Sequence, residues 1–161
     1  MTPTTVPGSE PGPLAPGTVL PEVRQTISQA RIEAYARASG DHNPIHLDET
    51  YARAAGLPGT IAHGMLSLGV LASSVEGWVA GRGRLARLHC RFAGMVRPGD
   101  VLVCRGRVGP PSSDPGRVHL ELEAITAAGV RALTHASATI EMDRPLGPET
   151  GAAPGVARDG D

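Results

Sequence analysis

From His63 to about Val79 the chain sets Met65, Leu66, Leu68, Val70, Leu71, Val75, Trp78 and Val79 around a helical wheel that is apolar on almost every face. A helix of this kind has no side for water, so the rest of the chain must enclose it. After it the period of the pattern changes. Leu85 to Val96 reads as a long strand, and Arg-Pro-Gly-Asp at 97–100 reads as a turn. Val101, Val103, Arg105 and Arg107 then alternate against Leu102, Cys104, Gly106 and Val108 in a second strand. Val118, Leu120, Leu122 and Ala124 mark a third, and Ala128-Gly129 turns the chain into a fourth over about residues 130–142. One buried helix followed by a meander predicts an α+β domain whose antiparallel sheet wraps around a central helix.

Composition limits what such a domain can be. Aromatic residues make up only 2% of 161, so the core must be built from Leu, Val, Ile and Ala. A formal net charge of −1 gives no electrostatic footprint for nucleic acid or an anionic membrane. Arg82, Arg84, Arg87 and Arg91 do cluster, either as a solvated face or as a landing patch for a phosphorylated ligand. Cys90 and Cys104 fall in strands and read as small buried apolar residues, since two cysteines make no disulfide framework. Residues 1–17 are rich in Pro, Thr and Gly, and residues 144–161 in Gly, Pro, Ala and acids, so both are expected to be disordered tails around a folded unit at 18–143. No basic stretch leads into an apolar one at the N-terminus, and the apolar run near 61–75 is too short to span a bilayer. A cytoplasmic location is expected.

Ahead of the central helix, Glu22 to Ser28 alternates as a short strand. Ser28 is placed to cap a helix over 29–38 that Gly40 ends, and Asp48 to cap a second over 49–55. Between them lies Ser39-Gly40-Asp41-His42-Asn43-Pro44-Ile45-His46, read as a loop that Pro44 stiffens. Asp41 and His46 are the residue types for general acid–base work near neutral pH. They are equally the types found in a plain turn. His42 and His46 have the spacing that binds zinc on a helix, but Pro44 lies between them with no intervening Glu and no nearby Cys, so no metal is expected. Gly64 opens the central helix, where unpaired N–H groups and a missing side chain could form an oxyanion hole or could merely allow close packing. His63 could cap that helix, line a pocket or orient the loop.

Residues 35–71, with Asp41-x-Asn43-Pro44-x-His46, the acid two positions on, the following short helix and Ala62-His63-Gly64-Met65, closely resemble the hydratase-2 motif of the MaoC-like family. That family comprises (R)-specific enoyl-CoA hydratases and (3R)-hydroxyacyl-carrier-protein dehydratases. Residues 91–100 resemble its strand running into a Pro-Gly-Asp turn, with Met95 where many members have Pro. The resemblance implies a hotdog fold over nearly all of 18–143. It implies a catalytic pair at Asp41 and His46, a supporting amide at Asn43, and a thioester carbonyl bound at the Gly64 N–H beside His63. It further implies water addition across the 2,3 double bond of a CoA or acyl-carrier-protein thioester, no cofactor, and pairing as a homodimer or with a second hotdog subunit. A hotdog thioesterase is disfavoured because Glu76 is the only acid on the central helix and lies far from its start. A non-catalytic partner or binding module would leave the acid–base pair unexplained.

Overall fold

In a computed structural model, which describes residues 14–144, the elements run β1 (Val23–Thr26), α1 (Gln29–Ser39), α2 (Pro44–Leu47), α3 (Glu49–Ala54), α4 (Gly64–Val79), β2 (Gly83–Phe92), β3 (Val101–Val108), β4 (Arg117–Thr126) and β5 (Arg131–Met142). The expected tails lie, apart from residues 14–17 and 144, outside the described residues. Packing reaches upstream of Thr18: Leu14 is buried in the core, and the Gly17 N–H donates to Val108 O.

All strand pairs are antiparallel, in the order β1-β3-β4-β5-β2. The alternation read in β3 and β4 is the alternation of burial. Leu102, Cys104, Val108, Val118, Leu120, Leu122 and Ala124 all join the core, while Arg105, Arg107, His119 and Glu121 are exposed; Val103, on the arginines' side of β3, breaks the pattern and is buried. Against that inner face lies α4, with Leu71 and Val75 wholly excluded from water. Each such side chain contributes roughly 1.5–3 kcal/mol. Trp78 closes the lower end of the helix. Its Nε1–H donates to Pro21 O, and its ring sits where a Cβ on Gly106 would come within 2.9 Å of it. Gly106 is therefore required by close approach of helix to sheet. No described helix is long and apolar enough to cross a membrane.

Four expectations are corrected. A meander would pair β2 with β3, but β2 pairs with β5 at the edge of the sheet and only β3-β4-β5 run as a meander. β2 ends at Phe92, four residues short of Val96. At Gly94 the chain runs so close to β5 that a Cβ would lie 2.7 Å from Arg131 O, and Val96 then turns inward to accept from the Ala62 N–H. Cys90 is only half-buried, because it stands on the open edge strand; Cys104 is fully buried, and burial pushes its thiol up to about 11. The segment 39–46 is not wholly loop: Pro44–Leu47 forms one helical turn with Pro44 at its start.

Candidate active site

The turn that carries His46 is shaped by its own residues. Ser28 caps α1 through the Arg31 N–H, and Gly40 ends it at φ 77, where a left-handed backbone suits glycine. The Asn43 side chain accepts from the Ile45 N–H and so caps α2, while the Asn43 N–H donates to Asp41 Oδ1. Asn43 thus acts through the backbone geometry of the turn, and Pro44 suits the first helical position because no donor is wasted there.

His46 is buried, and its Nδ1 lies 2.8 Å from Ile61 O. A carbonyl only accepts, so Nδ1 carries the proton and Nε2 is left as an acceptor. His63, at the N-cap of α4, is also buried and stacks on His46 with centroids 3.8 Å apart. Its Nε2 donates to the Asp41 backbone carbonyl at 3.0 Å; the Asp41 carboxylate, at 3.9 Å, is beyond hydrogen-bond reach. Nδ1 of His63 is buried with no partner among the described residues. Tyr35 of α1 also packs against it at a tilt, centroids 4.9 Å apart. His63 therefore neither caps its helix nor lies free; it bridges the Asp41 backbone and the His46 ring.

Asp41 itself is exposed. One polar atom each from Asp41, His46 and His63 fall within 4.8 Å of one another. Two hydrogen bonds through one water span up to about 5.6 Å, so a single water can touch the Asp41 carboxylate and the His46 ring together. The same three residues are donor types that hold metals. Here, however, the imidazole planes lie within 28° of each other as a stack, whereas two rings sharing an ion aim their lone pairs at one point. Each ring spends one N–H on a backbone carbonyl, which leaves His46 Nε2 and His63 Nδ1 as acceptors. On the stacking geometry the cluster fits water better than an ion. His42 is exposed and takes no part.

Gly64 follows His63 directly. Among the described residues, neither its N–H nor that of Met65 has an acceptor, as expected in a first helical turn. A Cβ at Gly64 would come within 3.0 Å of the Phe92 ring. Phe92 is half-exposed and, with His89, Cys90, Arg91 and His135, lines an open cleft of about 660 Å³ along β2. His135 stands in a bulge of β5 with φ 49.

Sequence reasoning missed Phe92, Ile61, Gln29 and Thr60. Phe92 is the only Phe in the chain, which was a usable signal. Ile61 acts through its carbonyl, which no side-chain pattern reveals. Gln29 Nε2 donates to His46 O, and Thr60 Oγ1 donates to Gln29 Oε1. The Thr60 N–H donates to Glu49 Oε2, and this bond, together with the Arg53 guanidinium, holds the Glu49 carboxyl below its usual range. Of the basic cluster, Arg82 donates to Trp78 O and Val79 O at the end of α4 and Arg84 pairs with Glu141. Arg87 and Arg91 stay exposed on β2.

Among solved structures, the chain is similar to the R-hydratase PhaJ1 from Pseudomonas aeruginosa, with TM-score 0.74, 25% identity, and 90% and 93% of the two chains covered. It also shares its fold with an (R)-hydratase from A. caviae involved in PHA biosynthesis, with TM-score 0.72, 24% identity, and 80% and 96% covered. Among curated proteins it is 34% identical over 118 residues to the fatty acid synthase beta subunit hexB of Dothistroma septosporum, covering 71% of this chain and 6% of that one. It is 37% identical over 95 residues to the peroxisomal hydratase-dehydrogenase-epimerase of Neurospora crassa, covering 59% and 10%. The chain therefore spans a tenth or less of these relatives. Residues 14–114 match the MaoC like domain. With the five-stranded sheet around α4, this match shows that the chain belongs to the MaoC-like dehydratase domain family, with the hotdog fold.

Proposed function

We propose that the protein reversibly hydrates trans-2-enoyl thioesters to (3R)-hydroxyacyl thioesters, with Asp41 and His46 as the catalytic pair. The observation that carries this reading is the fixed tautomer of a buried His46 beside an exposed carboxylate, at a spacing one water can bridge. The Nε2 of His46 accepts a proton from that water as its oxygen bonds to C3. Asp41 orients the water, and the proton taken by His46 passes by way of the Asp41 carboxylate to C2, returning both side chains to their starting states. One water O–H bond and the C2–C3 π bond break, and the C3–O and C2–H bonds form. Negative charge gathers on the thioester oxygen, and the Gly64 N–H at the start of α4 is the donor for it. One such donor is worth about 3–4 kcal/mol.

Family membership and the relatives' names support a fatty-acid-related thioester; CoA and an acyl carrier protein present the same phosphopantetheine end. The free edge of β2 and the open cleft beside Phe92 support a dimer in which a second hotdog domain closes the acyl site. A thioesterase is the weaker reading, since the first turn of α4 holds no acid and Glu76 is exposed near its far end. Incubation with crotonyl-CoA tests the choice. Loss of enoyl absorbance with an (R)-3-hydroxy product supports hydration, whereas release of free CoA thiol without hydration overturns it.

A further inference from the structure

The hydrogen bonds behind His46 close on themselves. His46 O accepts from Gln29 Nε2 at 3.1 Å, Gln29 Oε1 accepts from Thr60 Oγ1 at 3.1 Å, and the residue after Thr60 supplies the carbonyl that receives the His46 Nδ1–H at 2.8 Å. Every direction in this ring is forced. His46 O can only accept, so the Gln29 amide must turn its NH₂ to it and its oxygen to Thr60, whose hydroxyl must then donate. Ile61 is further tied by its own N–H to Ile45 O, and Thr60 by its N–H to Glu49. Thr60 is buried, and Gln29 is part-buried at the start of α1, 17 residues before the histidine.

We infer that Gln29 and Thr60 are positioning residues for the hydration reaction: together they fix the Ile61 carbonyl relative to the backbone of His46, and so the aim of its Nε2. Both also line a small cleft with Glu49, Gly59, Arg97 and Pro98, apart from the cleft beside Phe92, and the inference rests on His46 being catalytic. Because the ring pulls both the backbone and the imidazole of one residue, loosening it misaims the nitrogen without emptying the site. A misaligned base loses turnover while substrate affinity is kept.

Steady-state hydration of crotonyl-CoA by the intact chain tests this. Thr60→Val and Gln29→Leu should each lower kcat about tenfold with KM within about twofold of wild type. Thr60→Ser, which keeps the hydroxyl, should restore most of the turnover. The double variant should fall little below either single one, because both cut the same ring. If Thr60→Val fails to fold, Gln29→Leu alone carries the kcat–KM split. The inference is overturned if both variants keep kcat per folded molecule near wild type, or if KM rises while kcat holds. His46→Gln is the reference: its inactivity beside wild-type-like Gln29→Leu sinks the positioning role alone, whereas an active His46→Gln sinks the catalytic reading beneath it.

Discussion

At Gly64 two demands meet on one residue: a backbone N–H with no acceptor among the described residues, and a neighbouring ring that leaves almost no room for a Cβ. The two separate by experiment. Gly64→Val should cut crotonyl-CoA turnover sharply, and adding Phe92→Ala, which frees the space, should leave most of the loss in place if the N–H is what the carbonyl needs. Recovery in the double variant would mean that Gly64 serves packing alone. That Asp41 and His46 come close together was legible from the spacing of the motif. The His63 bridge and the Ile61 carbonyl were not legible, since stacking and backbone acceptance depend on three segments meeting in space.

The elements were read most accurately where local chemistry decides them. Ser28, Gly40 and Asp48 stop and start helices through bonds to their own neighbours, and all three do so here. Ser28→Ala should cost about 1 kcal/mol, seen as a lower urea midpoint with unchanged slope. The run Phe92–Val96 misled because an apolar pattern does not reveal where backbones come too close to continue a ladder, as at Gly94. The clamp between α3 and the segment leading into α4 has its own pH signature. The Glu49 carboxyl is held below its ordinary 4.5 by the Thr60 N–H and Arg53, so the clamp contributes fully above that value and is lost as pH falls through the lowered one. Glu49→Gln should therefore flatten the acid limb of the thermal stability profile; an unchanged limb would show that the clamp adds nothing.

For the whole molecule, the change of period from 3.6 to 2 was enough to place one helix inside one sheet, and the structure arranges it so. The strand order was not readable, because β2 pairs with β5, the last strand, across some fifty residues of chain. That pairing leaves β2 as an open edge bearing Phe92 and Arg91 beside the cleft. Native mass measurement should find two copies of the 16.6 kDa chain, or one copy with a second hotdog subunit. A monomer with full hydratase activity would refute closure of the site by a partner.

The central claim is that Asp41 and His46 act on one water. Turnover of crotonyl-CoA by Asp41→Asn and His46→Gln, set beside wild type at equal folded concentration, tests it most directly. Each variant should lose at least about 100-fold in kcat while keeping the wild-type circular dichroism spectrum. Turnover within a few-fold of wild type in both would contradict it.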